Sequence, residues 1–578
     1  MRKNLTGGLA WAGVFTVVAA CLGPVWGDWA GSVVAPFGGI DAMLQLGLLE
    51  WTARHWVEPS LWVNLPIFHP VPGALGFMDS LLGQAWLVLP VRLLLHPTVA
   101  GLYNWAFLGS LLLAAVAAGV LWRATEGPAW AGGVFALALV GAPYTQSQIG
   151  HLNQLPPPFV LLALAALAAG LRDRPPGDRP TGRPWWLLGA ALILQAAWGW
   201  YGFAHALIGV AVWKITWLAG ELRRGRSAAA AIAGTVRRAW LPALLAAAAV
   251  VVLALPQLQL AQRYPDFQRG TREVRSGSAD IQHFLNRGVY RSEPADWIGR
   301  GVTGPARYRD RDRQVLNPGW VALGLALLGW WRRGALTPAR RRTGAALCAV
   351  GLVGLILAFG DSVGLPGTDR RLPLPLEWLR TVVPPFKAFR GAWRFSWLFV
   401  IAVAWWSAVG MEILVRRRGL AGRLAPAVAA LLVLVSLPGG VPAMKVPLAG
   451  YAVPPALFQP GPVVTLPAPA TEYDEDVTEA LWIARTLETG QPVTGGATGW
   501  VPPQIIAFRV QLKDCEEGRQ EPATLLAAWK DMGIVSAEIA LREGDERRTD
   551  FWRQTLLEAG AVRSEPWPHP GYEMYVLP

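Results

Sequence analysis

The chain has 578 residues, 53% of them apolar and 16% charged, with a net charge of +13. So much apolar sequence excludes an ordinary soluble protein, and the basic residues fall in short clusters between apolar runs, which argues against nucleic acid. Cys21 and Cys348 lie in apolar runs and Cys515 stands alone in the polar tail, so no disulfide framework is expected, and the seven histidines show no zinc-site spacing.

Apolar runs of roughly 15–20 residues cross the ~30 Å hydrocarbon core of a bilayer. They occur at about 8–24, 101–122, 129–143, 158–171, 185–200, 203–220, 239–257, 317–331, 343–360, 395–414 and 424–438. This predicts a mainly α, polytopic bundle of about eleven spans. The thirty-one tryptophans suit the two membrane interfaces. The segments with Arg2-Lys3, Arg123, Arg172 to Arg183, Arg223 to Arg238, Arg332 to Arg342 and Arg416 to Arg423 alternate with longer, acid-containing ones. By the positive-inside rule the basic side is cytoplasmic, so the N-terminus is inside and the C-terminus outside.

Residues 81–96, "LLGQAWLVLPVRLLLH", would invert every later basic cluster if counted as a span. Pro90 and Arg92 also suit a lipid-facing helix poorly, so a helix lying on the outer surface is expected. The first external segment then runs from 25 to 100, long enough to suggest function. After residue 440 the pattern becomes that of an α/β domain, 441–578. "GPVVTLP" and "VSAEIAL" read as strands, "EDVTEALWIARTLETG" and "PATLLAAWKDMG" as helices. Val18-Ala19-Ala20-Cys21 loosely matches a lipoprotein cleavage signal, with Val where Leu is usual.

The expected outer segments carry "GDWAG" (27–31), "PSLWVNLPIFHPVPGALGFMDSLLGQ" (59–84), "YNWAFLGS" (103–110), "APYTQSQIGHLNQLPPP" (142–158) and "PPFKAFRGAWRF" (384–395). In order and spacing they resemble the bacterial multispan proteins of the GT-C glycosyltransferase superfamily, in particular members ending in an external α/β domain. The resemblance implies a GT-C bundle, 1–440, in the bacterial inner membrane. It also implies an enzyme that takes a sugar from a polyprenyl-phosphate carrier to a lipid, glycan or protein acceptor outside. It implies an essential carboxylate near the end of the first span, where Asp28 stands. Many members pair two acids there; Gly27-Asp28-Trp29 has one, which leaves Asp41 and Asp79 as rivals.

The chemistry of these residues supports such roles. Inverting transfer needs one base for the acceptor hydroxyl, and Asp28 with partial burial would suit it. Asp79 is a candidate to orient the acceptor, to hold a divalent Mg or Mn jointly with Asp28, or to cap the surface helix. Lys387, Arg390 and Arg394 are cations against the positive-inside bias, with Arg390 and Arg394 at the spacing of one helix face. They are candidates for the phosphate or for lipid headgroups. His69 is a candidate donor to sugar hydroxyls or a turn-stabilising residue. His151, Asn153 and Gln154 suit either sugar hydroxyls or hydrogen bonds between helices. Asp310-Arg311-Asp312 and Asp474-Glu475-Asp476 match D-x-D on the expected outer side, where nucleotide sugars are not expected. A flippase or assembly scaffold is the non-enzymatic alternative; the matched halves and broken helices of a transporter are not seen in the sequence.

Overall fold

The computed structural model describes residues 2–35, 40–172, 182–265, 269–285, 315–364, 371–417, 419–438, 441, 443–446, 461–466, 492–494, 501–541, 546–564 and 572–578. Both D-x-D matches and the expected helix "EDVTEALWIARTLETG" lie outside these residues.

In chain order the first helices are α1 (Arg2–Cys21), α2 (Ile40–Arg54), α3 (Pro59–Val63), α4 (Leu82–Leu95) and α5 (Val99–Ala124). There follow α6 (Gly132–Val140), α7 (Pro143–Ser147), α8 (Pro158–Gly170), α9 (Arg183–Trp198), α10 (Trp200–Arg223) and α11 (Ala228–Arg263). Next come α12 (Thr271–Ser276), α13 (Ile281–Leu285), α14 (Trp320–Trp331), α15 (Pro338–Ala358) and α16 (Pro375–Val382). The last are α17 (Ser396–Arg416), α18 (Leu420–Arg423), α19 (Ala425–Ser436), α20 (Pro503–Glu516), α21 (Pro522–Asp531) and α22 (Glu546–Glu558).

Among the described residues, seven helices are long and apolar enough to cross a membrane. They include α1, α5, α10, α11 and α15, the stretch 152–170 ending in α8, and the stretch 392–416 ending in α17. Four shorter apolar helices accompany them, at 82–95, 129–140, 320–331 and 425–436. The protein is a multi-pass membrane protein.

The chain divides into two compact units. One comprises Met1–Trp26, Phe107–Leu255 and Tyr264–Pro442; the other Gly27–Ala106, Pro256–Arg263 and Ala443–Pro578. In the first, α17 is the central helix, almost wholly buried among α6, α14 and α15. Small residues allow the close approach. A Cβ at Gly410 would lie 1.9 Å from the Leu325 carbonyl oxygen, and one at Gly329 would lie 2.6 Å from that of Trp406. Near the end of α17 the buried Glu412 accepts a 2.7 Å bond from Arg340 at the start of α15. The Arg340 guanidinium also lies over the Trp122 ring, 4.9 Å from its centroid.

In the second unit, strands β1 (Ser32–Val34) and β4 (Ala443–Lys445) pair antiparallel, Ser32 opposite Lys445. Among the described residues between 461 and 578, β5 (Val463–Leu466), β6 (Ser536–Ala540), β7 (Val562–Arg563) and β8 (Tyr572–Val576) form a four-stranded mixed sheet in the order β5-β6-β8-β7. (Strands β2, Ser362–Gly364, and β3, Arg371–Pro373, form a hairpin in the first unit.) Trp529 of α21 and Trp552 of α22 stack at 5.8 Å in the core of this α/β element, with Leu466, Ile539 and Tyr575. The strands and the helix expected at 461–467, 522–533 and 535–541 are present as β5, α21 and β6.

Candidate functional site

In the second unit, Asp28 sits in the turn after α1. Its backbone oxygen accepts from Gly31 N and Ser32 N, and its Oδ2 accepts a 2.6 Å bond from the Ser32 hydroxyl. The turn is tied to the start of α5. Asn104 Nδ2, buried, donates to the backbone oxygens of Trp29 (3.1 Å) and Ser32 (2.8 Å), and Thr98 donates to that of Ala30 (2.7 Å). The segments "GDWAG" and "YNWAFLGS" are thus parts of one small structure, closed by Trp29 edge-on to Trp105 at 5.5 Å. Asp28 itself is exposed, not partly buried as expected, because the turn directs burial onto Ser32 and Asn104.

Asp41 lies in the first turn of α2, where a carboxylate opposes the helix dipole. Asp79 does not cap α4. The cap position is Leu81, with φ 50°, and its side chain has no acceptor. The helix begins two residues later than a cap at Asp79 would require. His69 Nε2 lies 2.9 Å from the Met532 carbonyl; a carbonyl only accepts, so Nε2 carries the proton. His69 N also donates to Val493 O, and Val493 N to Pro66 O, so this histidine ties its loop to the 461–578 element.

Glu50, which the sequence did not single out, is a buried ion-pair centre. Its Oε1 accepts from Arg54 and from Arg92, each at 3.0 Å, and its side chain is only 4% exposed. Arg92, which argued against a lipid-facing helix, is thereby paired through one guanidinium nitrogen with α2.

In the first unit, "PPFKAFRGAWRF" is not one helix. It forms two 3-10 turns, Pro384–Ala388 and Ala392–Phe395, with Arg390 in the break between them. The expected shared helix face for Arg390 and Arg394 is therefore absent. Two features break it: Pro384-Pro385 opens the first turn, and Gly277, distant in sequence, presses so closely that a Cβ there would lie 2.1 Å from Arg390 O. Trp393 N donates to Gly277 O at 3.1 Å.

Tyr201, in the first turn of α10, organises this segment. Its hydroxyl oxygen accepts from Arg390 N (3.1 Å) and Gly391 N (2.9 Å), and the Arg394 guanidinium lies 4.2 Å above its ring. One turn along α10, buried His205 packs edge-on against Phe395 at 5.2 Å. Sequence reasoning missed both residues; the i, i+4 pairing of Tyr201 and His205 on one helix face was the available signal.

More cations surround Arg390. Arg269 donates to Glu273 at 2.6 Å, while Arg390 stands 3.9 Å from the same carboxylate. Arg269 N donates to Lys387 O, and Arg380 donates to Arg269 O. Burial lowers the Arg269 pKa; Glu273 pulls it back up and Arg390 lowers it again. Such mutual opposition is relieved by an anion. A cavity of about 420 Å³ adjoins, lined by Arg275, Asp361, Arg371, Glu377, Arg380 and Lys387 among others.

His151, Asn153 and Gln154 are half-buried beside this segment: Trp397 Nε1 donates to Gln154 O at 3.2 Å, and the Tyr144 ring lies 4.4 Å from that of Trp397. The preceding Thr145, Gln146 and Ser147 are buried and donate to backbone oxygens of Leu139, Ser436 and Tyr144, which is the structural use of amides and hydroxyls in a bundle. Among the described residues no three His, Cys, Asp or Glu side chains are grouped to hold a metal ion.

No family model and no curated protein matches the chain. Solved structures do. The oligosaccharyltransferase AglB of Archaeoglobus fulgidus, in complex with an inhibitory peptide and a dolichol-phosphate, is similar over 99% of this chain and 74% of its own, with TM-score 0.52 and 12% identity. The apo oligosaccharyltransferase of the same organism is similar over 94% and 71%, with TM-score 0.50 and 12% identity. The chain has the GT-C fold. The GT-C bundle thus carries the Tyr201–Arg394 cluster, while the Asp28 turn belongs to the unit that also contains the 461–578 element.

Proposed function

We propose that this GT-C protein is a membrane glycosyltransferase. It moves a sugar from a polyprenyl-phosphate-linked donor to a lipid, glycan or protein acceptor on the extracytoplasmic face of a bacterial inner membrane. The carrying observation is the cationic segment Lys387–Arg394, whose backbone and guanidinium are fixed by Tyr201. The fold shared with a protein bound to dolichol-phosphate supports the lipid-phosphate donor; fold alone does not fix activity.

In this reading Asp28 takes the proton from an acceptor hydroxyl. The hydroxyl oxygen attacks the anomeric carbon from the face opposite the phosphate, the carbon–oxygen bond to the phosphate breaks, and configuration inverts. Lys387, Arg390 and Arg394 stabilise the departing phosphate, which needs no proton to leave. Asp79 orients the acceptor, and Asn153 and Gln154 contact sugar hydroxyls.

The test is transfer by the purified protein in lipid nanodiscs, using polyprenyl-phosphate sugars with a labelled glycosyl group. Labelled product with the wild type, reduced at least a hundredfold in Arg394→Gln, supports the reading. Movement of the donor across the bilayer without any transfer would replace it with a flippase.

A further inference from the structure

A second cavity lies far from the Tyr201 cluster. Within α10, Glu221 lies twenty residues beyond Tyr201, or about 30 Å at 1.5 Å per residue, the thickness of a hydrocarbon core. Beside Glu221, the ends of α8 and α10 and the starts of α9 and α11 enclose about 440 Å³, within the roughly 300–1,000 Å³ range of ligand sites.

The walls are chemically divided. Arg172, Arg226 and Arg238 line the cavity, with Glu221 as the carboxylate among its lining residues. Glu221 is buried and accepts from Arg226 at 2.9 Å, and Arg172 stands 3.3 Å from Glu126. Arg238, exposed, has no ion-pair partner among the described residues. Trp185 and Trp217 form the aromatic wall, and the indole Nε1 of Trp217 is buried with no hydrogen-bond acceptor. Thr235 lines the same space, and Lys214 donates to its hydroxyl while lying 4.0 Å over the Trp217 ring. The first two turns of α11 contribute Ala230, Ala231 and Gly234, small residues that leave backbone near the ligand space.

The same face of α11 continues as apolar surface. Leu241, Leu245 and Val252 lie three, seven and fourteen residues beyond Arg238 and are 37%, 48% and 63% exposed. At those spacings they follow Arg238 along one stripe of the helix.

We propose that this cavity binds the phosphate headgroup of an anionic membrane lipid, whose acyl chains lie along Leu241, Leu245 and Val252. The guanidinium of Arg238 and the indole N–H of Trp217 supply donors for the phosphate oxygens, and the tryptophan rings flank the glycerol. Basic pockets between membrane helices recognise such headgroups in this way. The site is separate from the transfer chemistry proposed above and stands without it.

Native mass spectrometry of the full chain, in mixed micelles containing either phosphatidylglycerol or phosphatidylcholine, tests the proposal. The wild type is expected to retain one phosphatidylglycerol saturably, at least tenfold more tightly than phosphatidylcholine. Arg238→Ala and Gly234→Leu are expected to lose that preference. A Cβ at Gly234 meets no atom within 4 Å, and leucine favours a helix over glycine, so Gly234→Leu fills the cavity without disturbing the fold. Equal retention of the two lipids, or undiminished retention in both variants, overturns the proposal. Inorganic phosphate that raises thermal stability as much as phosphatidylglycerol does would make this a soluble-anion site and overturn the lipid assignment.

Discussion

Tyr201 shows how much of a site depends on one hydroxyl. It accepts two backbone N–H groups, and its ring carries Arg394. Removing the oxygen while keeping the ring leaves two half-buried donors, each costing about 1–3 kcal/mol if unsatisfied. Tyr201→Phe is therefore expected to weaken donor binding, raising KM for a polyprenyl-phosphate sugar about tenfold or more, with smaller change in kcat. An unchanged KM would mean that the segment holds its shape without this oxygen. Arg394→Lys should not rescue, because an ammonium lacks the planar face that stacks over Tyr201. Asp28, Lys387, Arg390 and Arg394 are candidates from the sequence because their charge stands where charge is unusual. Tyr201, His205 and Glu50 are not, because their positions matter only through contacts with residues 42 to 190 places away in the chain.

At the scale of elements, close helix approach and buried pairing hold the bundle. Gly410→Ala places a methyl against the Leu325 carbonyl, where only backbone can yield, so a loss of about 1–3 kcal/mol is expected, read as a lower thermal midpoint. Glu412→Gln strands the buried Arg340 guanidinium and is expected to cost about 3–5 kcal/mol, more than the double change to Arg340→Met with Glu412→Leu. A double variant less stable than the single would refute this account of the pair.

In the 461–578 element, Glu573 accepts two 3.0 Å bonds from Arg553 and one from the Tyr575 hydroxyl. Burial pushes its pKa up, but Arg553, Tyr575 and Arg563 together hold it below the ordinary value. Its stabilising contribution is therefore present above the unfolded pKa, about 4.3, and is lost as pH falls from there through the lower folded value. Arg553→Met is expected to flatten this acid-side loss, followed by hydrogen exchange of β6 and β8; an unaltered profile would point to other groups. The strands and α21 were legible here from period and turn residues. The broken 384–395 segment was not, since Gly277, which presses on it, lies more than a hundred residues earlier.

For the molecule as a whole, hydropathy gave membrane character correctly because it depends on composition and run length alone. Among the described residues, seven of the eleven expected runs fall on the long apolar helices and three on shorter ones, the run 185–200 falls on α9, and the fourth short helix, 82–95, is the one expected on the outer surface. The proposed orientation rests on charge alone. Single cysteines introduced at residue 225 are expected to react with an impermeant maleimide only from the cytoplasmic side, and those at residue 385 only from outside. The reverse pattern would invert the protein and remove the proposed donor face. The most direct test of the central claim is transfer of a labelled sugar from polyprenyl phosphate by purified wild type, Asp28→Asn and Arg394→Gln, each checked for correct insertion. Product from the wild type, with at least a hundredfold loss in both variants and inverted configuration at the anomeric carbon, is the expected result. Full activity in Asp28→Asn, or a retained configuration in the product, would contradict it.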